Sequence, residues 1–86
     1  MATDPHKAYF SGLSQEEKML LILRDELYEG SWEKMRRDLE DRLNGRPYIF
    51  RLVHRIEEDL TRIEKLQSYE LKHDINLSAF LEGDVL

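Results

Sequence analysis

The chain contains no cysteine. Disulfides, thiolate metal sites and thiol nucleophiles are therefore excluded. The absence fits a reducing compartment without requiring one. Proline occurs twice and glycine four times, so few positions can interrupt a helix. Long apolar runs are also missing. The longest, Met19-Leu20-Leu21-Ile22-Leu23, falls far short of the roughly 20 residues a membrane-spanning helix needs. The opening residues, Met-Ala-Thr-Asp-Pro-His-Lys, lack the basic-then-apolar layout of a signal peptide. The expectation is a soluble cytoplasmic protein with no membrane partner. A surplus of basic charge is absent too. Thirteen Lys and Arg stand against 18 Asp and Glu, a net charge of −5, which weakens generic attraction to nucleic acid and anionic lipid.

What remains is a chain of 86 residues, 36% charged and 41% hydrophobic. One domain is expected, stable only if its helices pack well or it oligomerises. The apolar residues follow helical periods. Residues 1–13 show none, and are expected as a flexible tail whose Tyr9 and Phe10 either dock on the core edge or serve as a handle for a partner. Residues 14–82 are expected as a single helical domain, and 83–86 as a frayed end.

Ser14-Gln15-Glu16-Glu17 is a capping-box pattern that starts a helix, expected over 14–29 and stopped by Gly30. Its five consecutive apolar residues cover every side of the cylinder, so neighbours or a second chain should surround it. Ser31 caps a second helix over 32–43, whose Trp32, Met35, Leu39 and Leu43 form one narrow stripe. Trp32 is expected to cap the core with its N–H near the surface. Asn44-Gly45 ends that helix.

The third stretch, from Pro47 at the first helical position to about His73, would run about 40 Å. Ile49, Val53, Ile56, Leu60 and Ile63 alternate steps of four and three, like a heptad seam. The next seam positions are Gln67 and Glu70, and the apolar line swings instead to Leu66 and Tyr69. The two halves of this helix should therefore face different neighbours. Ile75, Leu77, Phe80 and Leu81 are spaced for a short helix over 77–82, capped by Asn76 or Ser78, that folds back on Leu66 and Tyr69. The fold class is all-α: an antiparallel three-helix bundle with a long third helix and a short C-terminal one.

Chemistry-bearing patterns are sparse. Glu70-Leu71-Lys72-His73 is a single E-x-x-H pair, whereas a di-iron bundle needs two such pairs and two more carboxylates. Only a homodimer adding Glu16, Glu17 or Glu26 could complete a carboxylate/histidine metal site. His54, with Glu57 and Glu58, lacks a nucleophile at motif spacing. No catalytic residue and no cofactor are expected. Arg51, Arg55, Arg62, Lys65 and Lys72 fall within about 100° on a helical wheel. They form a basic stripe, interrupted by Glu58, that could answer an acidic protein or RNA. Arginines outnumber lysines eight to five, which suits bidentate phosphate or carboxylate contacts. A DNA-binding helix-turn-helix is disfavoured. Its recognition helix would start Pro47-Tyr48-Ile49-Phe50, apolar where base-reading side chains belong.

The expected function is a small non-enzymatic protein–protein interaction module. Self-association is its simplest form, with Leu21, Trp32, Phe50, Leu66 and Tyr69 as apolar contact residues. Binding of RNA or another polyanion through the stripe, and the dimeric metal site, are the alternatives.

Overall fold

The computed structural model describes residues 4–45 and 50–83, with the side chains of all but 50–54, 82 and 83. Expectations resting on Pro47, Ile49 and residues 84–86, and on the side chains of Phe50, Arg51, Val53 and His54, lie outside the described residues. The fold is all-α. Four α-helices, α1 (Pro5–Ser11), α2 (Gln15–Leu27), α3 (Trp32–Gly45) and α4 (Phe50–His73), precede a 3-10 helix, Leu77–Gly83.

Local chemistry accounts for the boundaries. The capping box of α2 is complete. Ser14 Oγ accepts from the Glu17 amide at 3.2 Å, and Glu17 Oε1 accepts from the Ser14 amide at 3.0 Å. Ser31 Oγ accepts from the Lys34 amide in the same way and starts α3. Between α2 and α3 the chain turns through the left-handed region at Glu29 and Gly30, with φ of 55° and 75°. Helix α4 closes at Asp74, φ 52°, where the Ile75 amide donates to the Glu70 carbonyl at 3.1 Å, a Schellman-type cap.

Helices α3 and α4 form an antiparallel pair, as the contacts Trp32–Glu70 and Arg36–Gln67 show. Helix α2 runs parallel to α4, with Glu17 opposite Lys65 and Arg24 opposite Glu70. This arrangement is compatible with the expected three-helix bundle. Phe10, Leu13, Leu20, Leu21, Trp32, Met35, Ile63, Leu66 and Leu77 make one apolar core. Fully burying a Leu or Phe contributes roughly 1.5–3 kcal/mol relative to exposure. Among the described residues, this core draws on α4 only from Ile63 onward and has partly buried Leu39 as its last neighbour on α3.

Two expectations need correction. The segment read as a flexible tail contains α1, capped by Asp4 and opened by Pro5. Phe10 inserts into the core and Tyr9 stacks on Tyr69 with centroids 3.7 Å apart. A helix of seven residues carries almost no period to read, and its two aromatics supply the stability that propensity does not. The expected short C-terminal helix is present, as a 3-10 helix, but its packing differs from the expectation. It packs on α2 and α1, while Leu77 enters the core beside Leu66. Tyr69 is covered by α1 instead.

Candidate functional site

Three arrangements concentrate polar chemistry or exposed apolar surface. The first lies inside. Arg24 is only 2% exposed, because α2 turns Glu17, Leu20, Leu21 and Arg24 inward at helical spacing. Its Nη1 donates to Glu70 Oε1 at 2.6 Å, and its Nη2 donates to Asn76 Oδ1 and Ser78 Oγ, both at 2.7 Å. The guanidinium lies 4.4 Å from the centre of the Trp32 ring. Glu70 also accepts from Trp32 Nε1 at 2.6 Å and from the Leu77 amide at 2.7 Å. One ion pair thus ties together α2, α3, α4 and the 3-10 helix. The Trp32 N–H points into this node and not to the surface, as the sequence had suggested. Among the described residues no buried side-chain nitrogen or oxygen lacks a partner. A fully satisfied network of this kind specifies packing. It leaves Glu70 committed to Arg24, away from the metal role its E-x-x-H spacing suggested.

The second arrangement is a groove of about 650 Å³ between α2 and α4. Met19, Leu20 and Leu23 form its apolar wall, while Glu16, Arg55, Glu58, Asp59 and Arg62 supply charges of both signs. Met19 is 52% exposed, and Leu27, two turns further along the same line of α2, is 66% exposed. Leu21, the residue expected to meet a partner, is 0% exposed in the core, as is Leu66. The run Met19–Leu23 thus divides between inside and outside. Its outward members are Met19 and, partly, Ile22 and Leu23.

The third arrangement joins α1 to the end of α4. Tyr69 lies half-buried against Tyr9, and His6 Nδ1 meets Tyr69 Oη at 2.9 Å. His73 packs at 4.3 Å from the Tyr69 ring centre and 5.0 Å from that of His6. Burial pushes the Tyr9 hydroxyl above its ordinary range, partly offset by the nearby Lys65 ammonium.

Two residues of the basic stripe, Arg62 and Lys65, are answered by acids. Arg62 Nη1 pairs with Asp59 at 2.8 Å and its Nη2 reaches Glu58 at 3.8 Å. Lys65 Nζ donates to the buried Glu17 at 2.8 Å. That bond raises the lysine, and the Glu17 carboxyl, which burial alone would raise, is held below its ordinary range by Lys65 and the Ser14 amide. Arg55 and Lys72 are exposed. Arg51 lies outside the described side chains.

No known family model, curated protein or solved structure matches this chain. Among the described residues no group of three or more His, Asp or Glu is placed to hold a metal ion, and no helix is long and apolar enough to cross a membrane. Sequence reasoning missed the partnership of Arg24 with Glu70. The signal was present on both sides: Arg24 interrupts the apolar face of α2, and Glu70 occupies a seam position where an apolar residue was due.

Proposed function

We propose that this chain is a small, non-enzymatic helical interaction module that self-associates through the groove between α2 and α4. The observation that carries this reading is the outward apolar line Met19, Leu23 and Leu27, flanked by a groove whose rim holds both signs of charge. A two-fold axis through such a surface sets the acidic edge of one copy, Glu16, against Arg55 or Arg62 of the other, as an isologous contact requires. Exposed methionine adapts well to such a surface. The interior polar groups support the reading, because the deepest of them are consumed in holding the fold.

Sedimentation equilibrium in EDTA, from a few to several hundred micromolar, tests it. Average mass should rise above the 10.3 kDa monomer with concentration. Met19→Asp should return it to the monomer with an unchanged circular dichroism spectrum. A monomer throughout the range overturns self-association. Binding of RNA through the stripe is the weaker reading, since Arg62 and Lys65 already have carboxylate partners.

A further inference from the structure

We propose that His6 and His73 form a two-imidazole site for a late first-row divalent cation, with zinc as its representative, that ties α1 to the end of α4. The rings come from opposite ends of the chain, and their centroids lie 5.0 Å apart at an interplanar angle of 59°. A Zn–N bond of about 2.0–2.1 Å and a tetrahedral angle put the centroids of two imidazoles sharing one ion about 5 Å apart. Stacked rings could not aim lone pairs at one point. Rings tilted by 59° can.

The surroundings accommodate the metal-binding tautomer. His6 Nδ1 and Tyr69 Oη are hydrogen-bonded at 2.9 Å. In the tautomer where Nδ1–H is the donor and the phenol oxygen accepts, Nε2 is left as a lone-pair donor, with the kind of outer hydrogen bond that ligating histidines make. Tyr69 is itself fixed by its stack on Tyr9, with rings 3° from parallel. His73 is exposed at the last turn of α4, and no described residue hydrogen-bonds its ring. Two protein nitrogens leave the remaining positions to water. Neutral imidazoles suit zinc, copper and nickel, whereas magnesium and calcium require oxygen donors.

Helix α1 has seven residues, too few to persist alone, so an ion bridging it to α4 strengthens its docking. Phe10 and the cover over Tyr69 are then held more firmly. This pairing is distinct from one built on Glu70, whose oxygens serve Arg24, Trp32 and Leu77.

The test is calorimetric titration of the untagged full chain with zinc chloride at pH 7.5, with magnesium as control. The chain has three histidines, so single substitutions separate the sites. One zinc per chain is expected, with affinity reduced at least tenfold in His6→Ala and in His73→Ala, retained in His54→Ala, and no heat from magnesium. A parallel NMR titration of the unsubstituted chain should shift the imidazole protons of His6 and His73 and leave those of His54, so the result does not depend on a variant folding. No binding at millimolar zinc, one zinc per two chains, or full affinity after loss of His6 or His73 would overturn the proposal.

Discussion

The two halves of α4 live in different surroundings. Its C-terminal half, from Ile63, is enclosed by α1, α2, the start of α3 and the 3-10 helix, and carries the Arg24–Glu70 node. Its N-terminal half borders the open groove beside Met19. Ile56 is buried there, yet stands outside the main core. The molecule is elongated, 52 Å against 22 and 21 Å. One half of a single helix anchors the fold, and the other presents surface. A helix can do both because its apolar line need not stay on one face.

The most damaging way to probe the anchored half is Arg24→Met. It leaves Glu70 buried without its cation and frees Asn76 and Ser78 from the node. Removing one partner of a buried pair costs about 3–5 kcal/mol, a large part of the stability of a domain this size. Urea unfolding followed by circular dichroism measures it. A loss below about 1 kcal/mol would mean that water replaces the pair easily, and the distinction between halves would lose its basis.

A second pair of substitutions compares the halves directly. Leu66→Ala, in the enclosed half, should cost about 3–4 kcal/mol, and Ile56→Ala about 2 kcal/mol, since the open half can relax around the gap. Native-state amide exchange on the unsubstituted chain should agree, with stronger protection over residues 63–73 than over 50–58. Equal costs and uniform protection would show one cooperative core reaching the whole helix.

The legibility of the sequence divides along the same line. The capping box at Ser14, the stripe from Trp32 to Leu43 and the swing of the apolar line at Leu66 are local patterns, and local patterns are written in residue spacing. The swing in particular announced that the two halves of the long helix meet different neighbours. Helix α1 was not legible, because seven residues hold too little period and its stability comes from Tyr9 and Phe10 meeting partners more than 50 residues away. The same reason hid the node. Arg24 and Glu70 each violate a local apolar pattern, and only the tertiary fold shows that the two violations cancel. Leu21 and Leu66 were offered as contact residues although the C-terminal helix was expected to fold back on Leu66; both are wholly buried in the core that Phe10 of α1 and Leu77 complete. Met19 takes their place at the surface.

The cap closing the anchored half offers a smaller effect of opposite sign. Asp74 holds φ 52°, a conformation that costs an L-residue roughly 1–2 kcal/mol and glycine nothing. Glycine gives back part of that gain through a freer unfolded chain. Asp74→Gly should therefore stabilise by about 0.5 kcal/mol, read as a higher urea midpoint with unchanged slope. Destabilisation would show that the aspartate side chain contributes more at the cap than its backbone strain takes away.

An effect no larger concerns the bond between Glu17 and Lys65, which fastens the start of α2 to α4 where the enclosed half begins. Glu17 is nearly buried while Lys65 is 57% exposed, so solvent screening limits the pair to about 0.5 kcal/mol. The folded-state carboxyl of Glu17 lies below its ordinary value of 4.5. Its contribution is complete above pH 4.5 and fades as pH falls through the lowered value. Lys65 lies above its ordinary 10.5, so its share is complete below pH 10.5 and fades as pH rises through the raised value. Between those limits the pair contributes a constant amount. Glu17→Gln keeps an oxygen for the Ser14 amide and removes the charge. The stability difference between the unsubstituted chain and this variant should stay flat from pH 6 to 9 and shrink toward pH 3. A difference that grows on acidification would mean that burial of Glu17 outweighs its bond to Lys65, and the enclosed half would then begin further along α4.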